Sequence, residues 1–156
     1  MGGKGAFTVP ESSAAYRLVA HSERSAPYAL ATSIDAIWTF ASARTSGTAV
    51  LPLWTVRFTP ATDATNTAPA GRTALVPVST LPAPGAKVGR VTTLMIEASF
   101  DDGATWKTAP LLGRAAQITH PVGSGFVSLR ATLRDSAGNG VKLTIVHAYR
   151  YGPATN

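Results

Sequence analysis

The chain has 156 residues, of which 45% are apolar and 14% charged, and fourteen Lys and Arg against eight Asp and Glu give it a net charge of +6. The length suits one domain or two small lobes, and the apolar share is ample for a packed core. Cysteine is absent, which excludes disulfides, zinc–thiolate sites and thiol catalysis.

Thr, Ala, Val, Gly and Pro outnumber the long helix formers, a mixture that favours strands joined by turns. Residues 1–13 read as a tail, disordered or tag-like. They open Met-Gly-Gly-Lys with no apolar h-region, which leaves two readings, a cytoplasmic chain or an excised piece whose export signal lies upstream. Tyr16–Ala20 and Ile37–Phe40 are the first apolar pieces. From Val50 to Phe58 both parities carry apolar residues, which predicts a strand covered on both faces, with Pro52 near its start or at a sheet edge. These pieces make a β front lobe over 14–60. Residues 61–71 hold no large apolar side chain and read as a linker or long connection.

A second lobe, 72–152, carries the clearer periodicity, with 153–156 as a closing tail. Ala74, Val76 and Val78 alternate with polar or imino neighbours. Leu94, Ile96, Ala98 and Phe100 share one face of the run from Val91. In Phe126–Arg134, Val127, Leu129, Ala131 and Leu133 point inward, and Ser128, Arg130, Thr132 and Arg134 outward. Val141–Tyr151 alternates too but slips near Val146, which predicts a bulge. Short pieces at 105–110 and 114–119 complete a series of closely spaced strands, and no helix of three turns is expected. The predicted fold is an antiparallel β-sandwich, immunoglobulin- or fibronectin-like, with the front lobe packed on it or added to it.

Two corners stand out. Ser99, Asp101, Gly103, Thr105 and Trp106 fit the Asp-box pattern S-x-D-x-G-x-T-W. In such a turn the carboxylate accepts backbone N–H bonds and the glycine takes a positive φ. The motif recurs in propeller blades of sialidases, but one box cannot build a propeller. The second corner, Asp135, Gly138 and Asn139 within Arg134–Gly140, resembles a turn of immunoglobulin-like modules on extracellular bacterial proteins.

Catalytic sets are missing. His21, His120 and His147 lie far apart in sequence, and the one glycine-flanked serine, Ser124, lacks the nucleophile-elbow pattern. All three histidines are expected to be structural or solvent-facing. Asp101 and Asp102 lack the further oxygen ligands of a calcium loop, and no cofactor is implied. Ten of the basic residues are Arg, spread along the chain without a cluster, so nucleic acid is not an expected partner. No stretch reaches the roughly 18 apolar residues of a spanning helix.

The segments ASFDDGATWK, ITHPVGSGFVSLRATLRDSAGN and TIVHAYR within Val91–Arg150 resemble the C-terminal region of large secreted actinobacterial subtilisin-like serine peptidases. Tyr16-Arg17-Leu18, Trp38-Thr39-Phe40 and Leu51-Pro52-Leu53 are similar to the segment before it. That resemblance implies an extracellular, non-catalytic accessory domain whose partner is an upstream catalytic domain on the same polypeptide. The marker strings H-G-T-H and G-T-S-M-A of that catalytic domain do not occur here, and Leu111–Gln117 is shorter than the family's hairpin. The alternative is an extracellular module for anionic polymers such as a cell-wall polyanion, or for glycans. It would bind through a basic stripe of Arg130, Arg134, Lys142 and Arg150, with Tyr149 or Tyr151 nearby.

Overall fold

Runs with one apolar parity become strands because an extended chain places alternate side chains on opposite faces. The computed structural model describes residues 8–153; the outer parts of both expected tails, 1–7 and 154–156, lie outside the described residues. Among the described residues there is no helix, and therefore none long and apolar enough to cross a membrane.

In chain order the strands are β1 (Ala14–Glu23), β2 (Ser33–Ser42), β3 (Trp54–Phe58), β4 (Thr67–Pro69), β5 (Thr73–Pro82) and β6 (Val91–Ser99). They continue with β7 (Lys107–Thr108), β8 (Leu111–Leu112), β9 (Ala115–Thr119), β10 (Gly125–Asp135) and β11 (Gly140–Gly152). The larger sheet runs β1-β2-β11-β10-β6-β7, and the smaller runs β3-β5-β9-β8. Every ladder is antiparallel except β4, which lies parallel on the end of β11. The fold is an all-β sandwich.

The core lies between the sheets. Val127, Leu129 and Ala131 of β10 are fully buried and Leu133 is 1% exposed; Ile96 and Ala98 of β6 lie beside them. Trp54 and Val56 of β3, Val76 and Val78 of β5, and Ala116 and Ile118 of β9 close the core from the smaller sheet. Burying a side chain such as Leu129 contributes about 1.5–3 kcal/mol, so this central strand carries much of the fold's stability.

The front segment contributes to both sheets. β1 and β2 extend the larger sheet beyond β11, from Gly140↔Thr39 to Val146↔Ser33, whereas β3 joins the smaller sheet against β5. The stretch read as a linker holds β4, and Asp63 organises its turn by accepting the Thr65 and Thr67 amides. Within the first tail, Pro10 accepts the Arg44 amide and Glu11 pairs with the Arg44 guanidinium at 2.9 Å.

Two local expectations are corrected. The run from Val50 is not a strand covered on both faces. It begins at Trp54 and is an edge strand with Trp54 and Val56 buried and Thr55 and Arg57 exposed, while Val50 and Leu51 stay outside it in solvent. Pro52 therefore falls just before an edge strand, where its missing N–H costs no ladder bond. Ser128, expected outward, is buried because β11 bulges opposite it. The register jumps from Val127↔Tyr149 to Leu129↔Ile145, His147 takes φ 56°, and Ser128 Oγ accepts the His147 amide at 3.1 Å. The bulge itself falls where the alternation of β11 slips.

Candidate functional surface

The Asp-box segment forms the β6–β7 corner. Asp101 accepts the Thr105 amide at 2.8 Å, the Ser99 hydroxyl at 2.7 Å and the Thr105 hydroxyl. The Thr105 hydroxyl, the Thr105 amide and Ser99 together hold the Asp101 carboxyl at about 2, below its ordinary 3.8. Gly103 sits at φ +88° against the Trp106 ring, whose Nε1–H donates to the Gly103 carbonyl at 2.9 Å. All of these bonds close the corner itself.

Asp135 works at longer reach. It accepts the amides of Ala137 and Asn139 and the Asn139 side-chain amide, each at 2.9 Å. It also accepts Trp54 Nε1–H at 3.0 Å from the opposite sheet and the Gly89 amide at 2.9 Å. Burial pushes this carboxyl up, but the bonds from Asn139, Trp54 and Gly89 outweigh it and leave it at about 2. Gly138, at φ +85°, makes the turn between them.

The three histidines occupy separate places. His120 is buried between the sheets, its Nδ1–H donating to the Pro69 carbonyl and its Nε2 accepting the Tyr149 hydroxyl, both at 3.0 Å. Desolvation lowers its pKa, and burial likewise raises that of Tyr149. His147 stacks on Phe126 and reaches the Ala29 carbonyl through Nδ1 and Asp102 through Nε2 at 2.6 Å. His21 is exposed, with its pKa raised first by Asp35 and then by Glu23. Neither His120 nor His147 bonds a serine side chain through its ring, so the geometry does not assemble a nucleophile–base pair. Among the described residues no group of His, Asp and Glu is arranged to hold a metal ion.

The outer face of the larger sheet carries the residues of the expected basic stripe on β10 and β11. Cross-strand registers place its side chains in rows. One row runs Arg134–Gly140–Thr39–Arg17, the next Thr132–Lys142–Ile37–Val19, and the third Glu97–Arg130–Thr144–Asp35–His21. The third row sets each acid beside a base, Glu97 beside Arg130 and Asp35 beside His21. Arg130 forms a fork on Glu97, with bonds of 2.7 and 2.6 Å, and stacks on Trp106 at 4.3 Å. Glu97 is held below its ordinary pKa, first by Arg130 and also by the field of Lys142.

The first two rows carry Arg134, Arg17 and Lys142, all exposed, and no carboxylate. At about 4.8 Å per strand, Arg134 and Arg17 stand roughly 14 Å apart, with Lys142 one row away between them.

The four residues of the expected stripe are thus divided. Arg134 and Lys142 lie together at one end. Arg130 is committed to Glu97, and Arg150 lies opposite Phe126 at the far end, over that ring and bonded to the Thr65 carbonyl. Tyr149 and Tyr151 belong to the core and do not line the stripe. Arg17 is the cation that sequence reasoning missed. Its signal was the alternation Arg17, Val19, His21 along β1, which shows only once β1 is paired to β2. Comparison with protein-family models, with curated proteins and with solved structures finds no match.

Proposed function

We propose that this chain is a non-catalytic accessory β-sandwich domain of an exported polypeptide, stabilising, anchoring or presenting a catalytic domain carried upstream. The resemblance of Val91–Arg150 to the C-terminal region of secreted subtilisin-like serine peptidases supplies the class of parent. The observation that carries the reading is the use made of the polar groups. Asp101, Asp135 and His120 spend their hydrogen bonds on turn backbone, on Trp54 and Tyr149, and on closing corners of the sandwich. The test is the natural polypeptide. Mass analysis of the secreted proteins of the source organism should find this sequence within a much larger product that carries an upstream subtilisin-like domain. A native product of this length alone, or casein cleavage by the purified chain, overturns it.

The outer face favours a second reading, an extracellular module for anionic polymers. Arg17, Arg134 and Lys142 present three exposed cations on one sheet face with no carboxylate in their two rows. Guanidinium forks suit sulfate and phosphate groups. Retention on heparin should weaken when Arg17 and Arg134 are both replaced by Ala, and should fall with added salt. Absence of retention at low salt removes this reading.

A further inference from the structure

β1 is the outermost strand of the larger sheet and, among the described residues, pairs only with β2. Its ten residues run in unbroken register from Ala14↔Ser42 to Glu23↔Ser33, with no bulge or proline. Its side chains are largely exposed on both faces, Leu18 at 37% and Val19 at 47%, because the smaller sheet ends at β3 and does not extend over it. Folded proteins normally blunt such an edge with bulges, prolines or short strands, since its free N–H and C=O groups template pairing with another chain. This edge has no bulge, proline or shortening, and its charged side chains, Arg17 and Glu23, are of opposite sign.

We propose that the β1 edge is the site of self-association, two copies joining antiparallel across a twofold axis at Ala20 into one continuous sheet. The register follows from symmetry and charge. A twofold axis through an antiparallel seam requires like faces to meet, so residue numbers of paired positions must sum to an even value. Centring on Ala20 sets Arg17 of each copy against Glu23 of the other, twice over, on the outer face. On the other face it sets Leu18 against Ser22. Centring on Val19 instead faces Arg17 with His21, and centring on Leu18 leaves Arg17 opposite Val19. Only the Ala20 register among these joins opposite charges, which favours cross-strand pairing. A seam one strand wide is a small interface, so the dimer is concentration-dependent. The proposal does not depend on the accessory-domain reading, because it needs only the exposed edge.

Sedimentation over a concentration series reads the association directly. Arg17→Glu or Glu23→Arg alone should weaken the dimer roughly tenfold, by turning two attractive pairs into repulsive ones, and the double exchange should restore it. The chain has no cysteine, so engineered ones report cleanly. Ala20→Cys should form a disulfide dimer on mild oxidation, since directly opposed strand positions lie within disulfide reach. Leu18→Cys and Ser22→Cys should cross-link efficiently only when mixed with each other. A chain that stays monomeric at the highest concentration overturns the proposal. So does a double exchange no better than its singles, or Ala20→Cys cross-linking no faster than Leu18→Cys alone.

Discussion

Asp101 and Asp135 each close a hairpin by accepting the amide four residues ahead, Thr105 in one case and Asn139 in the other. Both carboxyls are held at about 2. Their partners differ in kind. Those of Asp101 lie between Ser99 and Thr105, at a corner open to solvent. Asp135 is 4% exposed and reaches Trp54, 81 residues away on the facing sheet, and Gly89 on the β5–β6 connection. A carboxylate in a turn shapes a loop when its donors are local. When they come from other elements, it ties those elements together.

The largest expected effect follows from that difference. Asp135→Ala leaves the Trp54 N–H, the Gly89 amide and Asn139 without their acceptor in a buried place, a loss on the order of 3 kcal/mol or more. Urea unfolding measures it. The group also sets a pH dependence with a definite sign. Its folded pKa of about 2 lies below its ordinary 3.8, so its contribution is complete above 3.8 and is lost as pH falls towards 2. In Asp135→Asn that part of the acid slope should vanish. An unchanged slope would mean that Asp135 is not the clamp between the sheets.

Gly89 tests the same clamp from its other side. A Cβ on Gly89 would stand 2.6 Å from the Ala137 amide nitrogen and 2.6 Å from Ser136 Oγ, so Gly89→Ala must push the Asp135 turn away. Overpacking of this sort costs about 1–3 kcal/mol. Gly138, in the turn itself, has open space around a built Cβ and a φ of +85°. Gly138→Ala therefore meets only backbone strain of about 1–2 kcal/mol. A Gly89→Ala variant as stable as the parent would show that the close approach at Gly89 is not a constraint.

Much of this was legible in the chain. The parity of Val127, Leu129, Ala131 and Leu133 gave the core strand because an interior strand buries one face without exception. The slip near Val146 located the bulge, and both Asp corners followed from turn chemistry. What stayed hidden depends on which strands are neighbours. Glu97 lies on the outward parity of β6, but its pairing with Arg130 exists only because β6 lies beside β10. Trp54 as donor to Asp135 required knowing that β3 crosses to the facing sheet. Val50–Phe58 misled because apolar residues on two parities also describe an edge strand preceded by an exposed loop.

Arg130 gives a smaller effect, since its bonds are shared with a partly exposed partner. In Arg130→Lys the fork on Glu97 and the stack on Trp106 are replaced by a single point charge, for a loss of about 1 kcal/mol. Glu97 should then titrate higher, because Arg130 is the first cause of its depressed pKa. Carboxylate chemical shifts followed by NMR would show this directly.

The smallest global effect belongs to Asp101, whose local donors make it the counterpart of Asp135. Asp101→Ala frees the Thr105 amide and hydroxyl at an exposed position, where water takes the place of the carboxylate. Ser99 Oγ still accepts the Gly103 amide at 2.9 Å, and only its hydroxyl proton loses an acceptor. The unfolding midpoint should therefore move less than in Arg130→Lys. The corner itself should loosen: amide exchange at Gly103 and Thr105 should accelerate, and the emission of Trp106 should change as its Gly103 contact opens. The Asp102–His147 bond should weaken with it, because Asp102 is carried at φ 59° by this turn. Were Asp101→Ala to lower global stability as far as Asp135→Ala, the division between a loop-shaping and a sheet-clamping aspartate would fail.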